Sequence, residues 1–277
     1  MGHSVAWAAA LGPSNLRLRL ISAAVLIPLA LLLVGAGGVL LLLGTVVVVA
    51  LLALEWARMT GMAAPLAVAL LAAAAGLPAI VAHFAGLLAA LAAVALGMAA
   101  LALLASKRLA VNGWASLAVA WFGLPAVCLI WLRQAGEHAP TGLVYVLLVV
   151  WAADSGAYLV GRWLGGPKLA PRISPGKTCS GAAGGLVATI LAGGGLAAVT
   201  GLASVPALAG LSLLLAAAAE IGDLAESAAK RRWGVKDSGR LIPGHGGIFD
   251  RVDALLFVLP LAAAAAVLNG GELLPWR

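Results

Sequence analysis

The sequence predicts an all-α polytopic membrane protein, with about nine transmembrane helices and a cytoplasmic N-terminus. Three observations carry that expectation. The 277 residues are 64% hydrophobic and only 10% charged, with a mean hydropathy of +1.11, whereas soluble domains are about half apolar and a quarter charged. Apolar stretches repeatedly reach the length of about 20 residues that crosses a bilayer. With the N-terminus inside, every Lys and Arg except Arg133 and Arg277 falls in an inner segment, as the positive-inside rule requires. Little chain is left for a soluble domain. The net charge of +7 then reads as basic residues kept on cytoplasmic loops and facing anionic headgroups, with no nucleic-acid partner.

Arg17 and Arg19 precede the first apolar run, over residues 18–35. That run continues without a small-x-small cleavage site, so it reads as a span rather than a leader. The next spans, each bounded by Gly, Pro or charge, cover 38–56, 64–83, 86–105, 114–132, 141–161, 180–200, 204–226 and 253–269. Only residues 83–86 separate the third from the fourth. The odd number puts the C-terminus outside. No long internal repeat argues for an inverted-repeat transporter. Cys128 and Cys179 have neither C-x-x-C nor metal spacing and read as small apolar fillers.

Polar residues divide the chain unevenly. Residues 1–140 carry Glu55 and Glu137 as their acids, and the others begin at Asp154. The long inner loops, 162–179 and 227–252, are the substantial polar stretches. Residues 1–140 therefore read as an N-terminal transmembrane scaffold of about five helices. Residues 141–277 read as a C-terminal working region of about four helices with two polar cytoplasmic loops.

Asp154 sits within its span, roughly 12 Å from the helix end near Arg162. A charge there costs about 2.5–3.5 kcal/mol on insertion scales and points to function, with a structural ion pair as the plainer alternative. The eighth span ends in Glu220, Asp223, Glu226 and Ser227, whose spacing stacks three carboxylates on neighbouring turns. Hard oxygen ligands so close suit a divalent ion such as Mg²⁺; a solvated helix end balanced by Lys230, Arg231 and Arg232 explains Glu226 but Asp223 less well. Pro243-Gly244-His245-Gly246-Gly247 must turn tightly and can bring backbone N–H groups to an anion. Asp250 and Asp253 follow at the start of the last span, where acids favour the helix dipole. His245 fits a structural turn residue as well as an acid, base or phosphate donor. In the other loop, Ser174-Pro175-Gly176-Lys177-Thr178 supplies a flexible backbone, a cation and hydroxyls, but it lacks the first glycine and the preceding strand of a Walker A loop.

Carboxylates for a metal, basic loops and glycine turns at one membrane face suit phosphoryl or nucleotidyl transfer. Their depth suggests a lipid phosphate as one reactant and a cytosolic nucleotide as the other.

The run Ser227-x(2)-Lys230-Arg231-x(4)-Lys236-Asp237-x-Gly239-x(2)-Ile242-Pro243-x-His245-Gly246-Gly247-Ile248-x-Asp250-Arg251-Val252-Asp253 resembles the signature of the phosphatidate cytidylyltransferase (CDP-diglyceride synthase) family. Asp154-x(2)-Ala157-Tyr158 and Ile173-Ser174-Pro175-x-Lys177-Thr178 are similar to further motifs of that family, so the resemblance covers about residues 150–255. The chain departs from it at Cys179-Ser180, where the family commonly has an aromatic residue and Glu or Gln. The resemblance implies transfer of the cytidylyl group of CTP to phosphatidate, giving CDP-diacylglycerol and pyrophosphate for phospholipid biosynthesis. It implies an inner or plasma membrane location, an active site among the C-terminal helices near the cytoplasmic face, and room for a homodimer. Asp223 and Asp250 would be the metal pair, with Glu226, Asp154 or Asp253 as additional ligands, and with Mg²⁺ and a monovalent cation such as K⁺ as cofactors. Lys177, Lys236 and Arg251 would neutralise the triphosphate, and Ser174 and Thr178 would donate hydrogen bonds. Lys230 and Arg231 would hold the lipid phosphate or anchor the surface. Pro175, Ser227, Asp237, Gly246 and Gly247 are the remaining motif positions expected at the site. A phosphate nucleophile is already anionic at pH 7, which weakens the case for His245 as a base. A CTP-dependent lipid kinase and an ion- or proton-coupled transporter using Asp154, Asp223 and Glu226 are the alternatives. The D-G-x(2)-A-R pattern of a CDP-alcohol phosphatidyltransferase does not occur.

Overall fold

The computed structural model describes residues 13–105, 111–239, 241–242 and 246–274. The side chains of Arg17 and Arg19, together with Lys107, Arg108, Arg240, Pro243, Gly244, His245 and Arg277, lie outside the described residues. Helices dominate: α1 Pro13–Ala36, α2 Gly38–Thr60, α3 Pro65–Leu104, α4 Trp114–Gln134, α5 Ala139–Leu164, α6 Cys179–Thr200, α7 Val205–Arg232, α8 Phe249–Val252 and α9 Leu255–Leu268. By length and composition, six of them (α2 to α7) can cross a membrane, and Ile21–Ala36 and Leu255–Leu268 are shorter apolar helices. These elements fit a multi-pass membrane protein.

The helix ends follow local chemistry. Proline opens α3 and α5 within the first turn, where its missing N–H costs nothing. Within α3, Gly86 takes φ +83° and interrupts the helix where the sequence predicts a boundary between two spans. A wider π-type turn, Val119–Gly123, lies inside α4. The helix α7 runs to Arg232, beyond the apolar span expected to end at 226, because Lys230, Arg231 and Arg232 in its last turn complement the helix dipole.

The sequence also predicts an irregular loop over 162–179, and here the structure differs. Strands β1 Lys168–Ala170 and β2 Ser174–Thr178 pair antiparallel, Lys168 opposite Thr178 and Ala170 opposite Ser174. A strand does precede α6, but Gly176, Lys177 and Thr178 belong to it instead of forming a loop after it. Thr178 caps α6 by accepting a hydrogen bond from the Gly181 N–H at 3.1 Å.

Two apolar clusters hold the helices. Leu52 and Trp56 of α2, Leu71 of α3 and Phe122 of α4 build the first, with Phe249 of α8 inserted among them. Tyr145 of α5, Leu208 and Leu215 of α7 and Val258 of α9 build the second. The α8–α9 segment therefore joins the two. Around Trp56, the rings of Trp233, Trp121, Phe122 and Phe249 pack edge-on at 5.1, 5.6, 5.6 and 6.2 Å, within the preferred range for aromatic pairs. Glycines bring α5 against α6: a Cβ on Gly156 would fall 2.5 Å from the Ala188 Cβ, and one on Gly185 would fall 2.9 Å from the Ala153 carbonyl. This is the close small-residue packing that membrane helices use.

Candidate active site

The ends of α5 and α7, the start of α6, the hairpin and α8 surround a cavity of about 1110 Å³. That exceeds the roughly 300–1,000 Å³ of ordinary small-ligand sites. Asp154, Lys177, Thr178, Glu220, Asp223, Glu226, Lys230, Asp237, Asp250, Arg251 and Asp253 all line it, so residues far apart in sequence share one cavity.

The charges are arranged in two groups. In the first, Lys177 Nζ lies 2.6 Å from Asp223 Oδ2 and 2.8 Å from Glu220 Oε1. Burial alone would lower the Lys177 pKa, but Asp223 and Glu220 outweigh burial and raise it. In the second, Lys230 Nζ bridges Glu226 Oε2 and Asp250 Oδ1, each at 2.7 Å. Asp250 Oδ2 accepts from the N–H groups of Gly247 at 2.8 Å and Ser238 at 3.0 Å. Burial pushes the Asp250 carboxyl up, yet Glu226, Lys230 and the Gly247 amide hold it at about 2.

Between these groups, Asp223, Glu226 and Asp253 each present a carboxylate oxygen within 4.8 Å of the others. Glu226 is 1% exposed, and its Oε1 has no hydrogen-bond partner among the described residues. An unpartnered buried carboxylate oxygen is costly. Three converging hard oxygens supply the chemistry that a divalent cation needs. The sequence names Asp223 and Asp250 as the metal pair, with Glu226, Asp154 or Asp253 as additional ligands; among the described residues Asp223, Glu226 and Asp253 converge, and Asp250 has Lys230 as its counter-ion. Asp154 lines the same cavity.

Other expected residues are engaged in local structure. Ser227 Oγ donates to Asp223 Oδ1 at 3.4 Å. Arg231 donates to the carbonyls of Ile173 and Val235 at 3.3 and 3.1 Å, tying the hairpin turn to the end of α7. Ser174 is half-buried in β2, and Pro175, Lys236, Asp237 and Arg251 are exposed. Ser180, at the departure from the family motif, donates to the Gly165 carbonyl. Ile242 N–H donates to the Gly246 carbonyl at 2.9 Å, and Gly246 has φ +82°; residues 243–245 of the expected turn lie outside the described residues. Of the described amides in the expected turn, that of Gly247 donates to Asp250; just after the turn, Ile248 and Phe249 donate to Glu55.

Glu55 was not among the expected site residues. It is 3% exposed and reaches from α2 to accept from Ile248 N–H at 2.8 Å, Phe249 N–H at 2.9 Å and Ser238 Oγ at 2.9 Å. Its one sequence signal is its position as an acid ending an apolar span.

The sequence pattern of the cytidylyltransferase family matches residues 17–268. The chain belongs to that family. It is 49% identical over 160 residues to a phosphatidate cytidylyltransferase of Brucella suis biovar 1 (strain 1330), covering 57% of this chain and 56% of the relative. Proteins of the same name from Bacillus subtilis (strain 168) and Staphylococcus aureus (strain COL) are 43% identical over 153 residues and 44% over 146. Those matches cover 53% and 52% of this chain and 55% of each relative. The chain spans about half the length of the curated relatives it matches.

Proposed function

We propose that this cytidylyltransferase-family chain transfers the cytidylyl group of CTP to phosphatidate, giving CDP-diacylglycerol and pyrophosphate. The observation that carries the proposal is one large cavity in which a carboxylate cluster and lysines meet at the end of a membrane-type helix bundle. The names of the bacterial relatives support the choice of substrates.

An oxygen of the lipid phosphate forms a bond to the α-phosphorus of CTP while the bond from that phosphorus to the bridging oxygen breaks, releasing pyrophosphate. The nucleophile is an anion at neutral pH, so the protein's task is positioning and charge neutralisation. Asp223, Glu226 and Asp253 would hold Mg²⁺, which supplies Lewis-acid neutralisation of the phosphates when bound. Lys177 and Arg251 supply positive charge from the hairpin and α8. Lys230 ties Glu226 of the same helix to Asp250 of α8. K⁺ dependence is a separate expectation, read by replacing K⁺ with a large organic cation.

We also place nine crossings in the bacterial plasma membrane, counting α1, both halves of α3, and α9. The N-terminus and the cavity then face the cytoplasm, where CTP is found, in accord with the distribution of Lys and Arg.

Incubating the reconstituted protein with CTP, phosphatidate and Mg²⁺ tests the reaction. CDP-diacylglycerol and pyrophosphate should appear in equal amounts, and chelation should stop both. A phosphorylated lipid with CDP as co-product, or no nucleotidyl lipid at all, overturns the proposal.

A further inference from the structure

The buried carboxylate of Glu55 and the glycines around it account for features of the 238–250 segment that the reaction scheme leaves unused. Glu55 Oε1 takes the Ile248 N–H, and Oε2 takes the Phe249 N–H and the Ser238 hydroxyl. Ser238 then connects to Asp250, through its N–H to Oδ2 at 3.0 Å and through Oγ at the same distance. Its hydroxyl has a single proton, so it can donate to Glu55 or to Asp250 but not to both. Gly239 and Gly247 close the loop around the carboxylate: a Cβ on Gly239 would fall 2.7 Å from Glu55 Oε1, and one on Gly247 would fall 2.5 Å from both Glu55 oxygens.

We propose that Glu55 is a positioning residue for the active site, holding the 238–250 segment so that Asp250 meets Lys230 and Asp253 meets Asp223 and Glu226. This rests on the cytidylyl-transfer reading for its effect on turnover, though not for its structural part. Glu55 does not line the cavity, so it acts through the segment rather than on substrate. Charge-assisted hydrogen bonds to backbone amides are stronger than neutral ones, and an amide side chain in their place turns an NH₂ group toward N–H donors. Because α2 belongs to the first apolar cluster, the N-terminal helices thereby fix the geometry of a site built by the C-terminal ones.

The test compares wild type with Glu55→Gln in the full-length protein in lipid discs, using two readouts. Amide hydrogen exchange at Ile248 and Phe249 should quicken about tenfold or more in the variant. The kcat per folded molecule should fall about tenfold or more, while KM for CTP changes by less than about threefold. Should Glu55→Gln fail to assemble, Gly247→Ala, whose Cβ would crowd the Ser238 hydroxyl and both Glu55 oxygens, should give the same pattern. Exchange at both amides unchanged from wild type overturns the anchor. Faster exchange with unchanged kcat reduces Glu55 to a stabilising contact and overturns its positioning role. If the wild type makes no nucleotidyl lipid, the reaction assignment fails by itself, and the exchange readout still decides whether Glu55 holds the segment.

Discussion

At the residue scale, Asp250 and Lys177 separate stability from chemistry. Asp250 is ionised down to about 2, below the ordinary carboxylate value near 3.9, and its contacts stabilise the charged form by about 2–3 kcal/mol. A depressed folded value contributes stability that is present above the unfolded pKa and lost as pH falls through the folded one. Asp250→Asn should therefore lower the thermal midpoint at pH 7, and the gap from wild type should narrow as pH falls toward 3; a gap independent of pH contradicts the ion pair. The same variant leaves Lys230 with Glu226 alone and should cut turnover about a hundredfold or more, read as CDP-diacylglycerol formed per folded molecule. Lys177→Ala removes the cation shared by Glu220 and Asp223. Its expected effect is a rise of about tenfold or more in KM for CTP with normal membrane insertion, measured by initial rates across a CTP series.

At the element scale, the approach of α5 to α6 sets where the hairpin, and with it Lys177, stands relative to α7. Gly185 packs its bare Cα against the Ala153 carbonyl, whereas Gly195 on the same helix has nothing within 4 Å of a would-be Cβ. Gly185→Leu should force the helices apart, lowering both thermal midpoint and turnover. Gly195→Ala should leave turnover intact and stabilise the helix by about 0.5–1 kcal/mol; equal behaviour of the two variants in thermal unfolding and turnover assays would contradict the packing. Elements of this kind were largely legible in the sequence, because apolar runs of bilayer length and their Gly, Pro and charged borders are local signals. Even the Gly86 interruption of α3 was marked that way. Hydropathy fails where structure leaves the apolar run: it ended the eighth span near 226, although the helix carries Lys230 on to Asp250, and it hid the hairpin, whose pairing depends on contacts between short polar strands. Glu55 was least visible, since its importance lies in amides almost two hundred residues away. The grouping of Asp253 with Asp223 and Glu226 likewise depends on how α8 and α9 dock against α7, which no spacing within one helix reveals.

At the scale of the whole molecule, the orientation in the membrane decides whether the proposed reaction can draw on cytosolic CTP. Cys179 is exposed at the start of α6 beside the hairpin, and Cys128 is buried, so the native chain carries its own side-specific reporter. Arg133, at the end of α4, hydrogen-bonds the Val34 and Gly35 carbonyls at 2.7 and 3.0 Å and fixes the opposite end of the bundle. Burying a thiol suppresses its reaction, while an exposed one reacts as its thiolate fraction allows. In vesicles that keep the cellular orientation, a membrane-impermeant maleimide should therefore leave Cys179 unmodified until the vesicles are opened, while a permeant maleimide labels it at once. Glu137→Cys, next to the Arg133 end, should show the reverse pattern and react from outside. Labelling of Cys179 in sealed vesicles would turn the bundle over and place the cavity away from the nucleotide proposed for it. Protection of Cys179 with labelling at position 137 would fix the positive-inside orientation that the distribution of Lys and Arg demands.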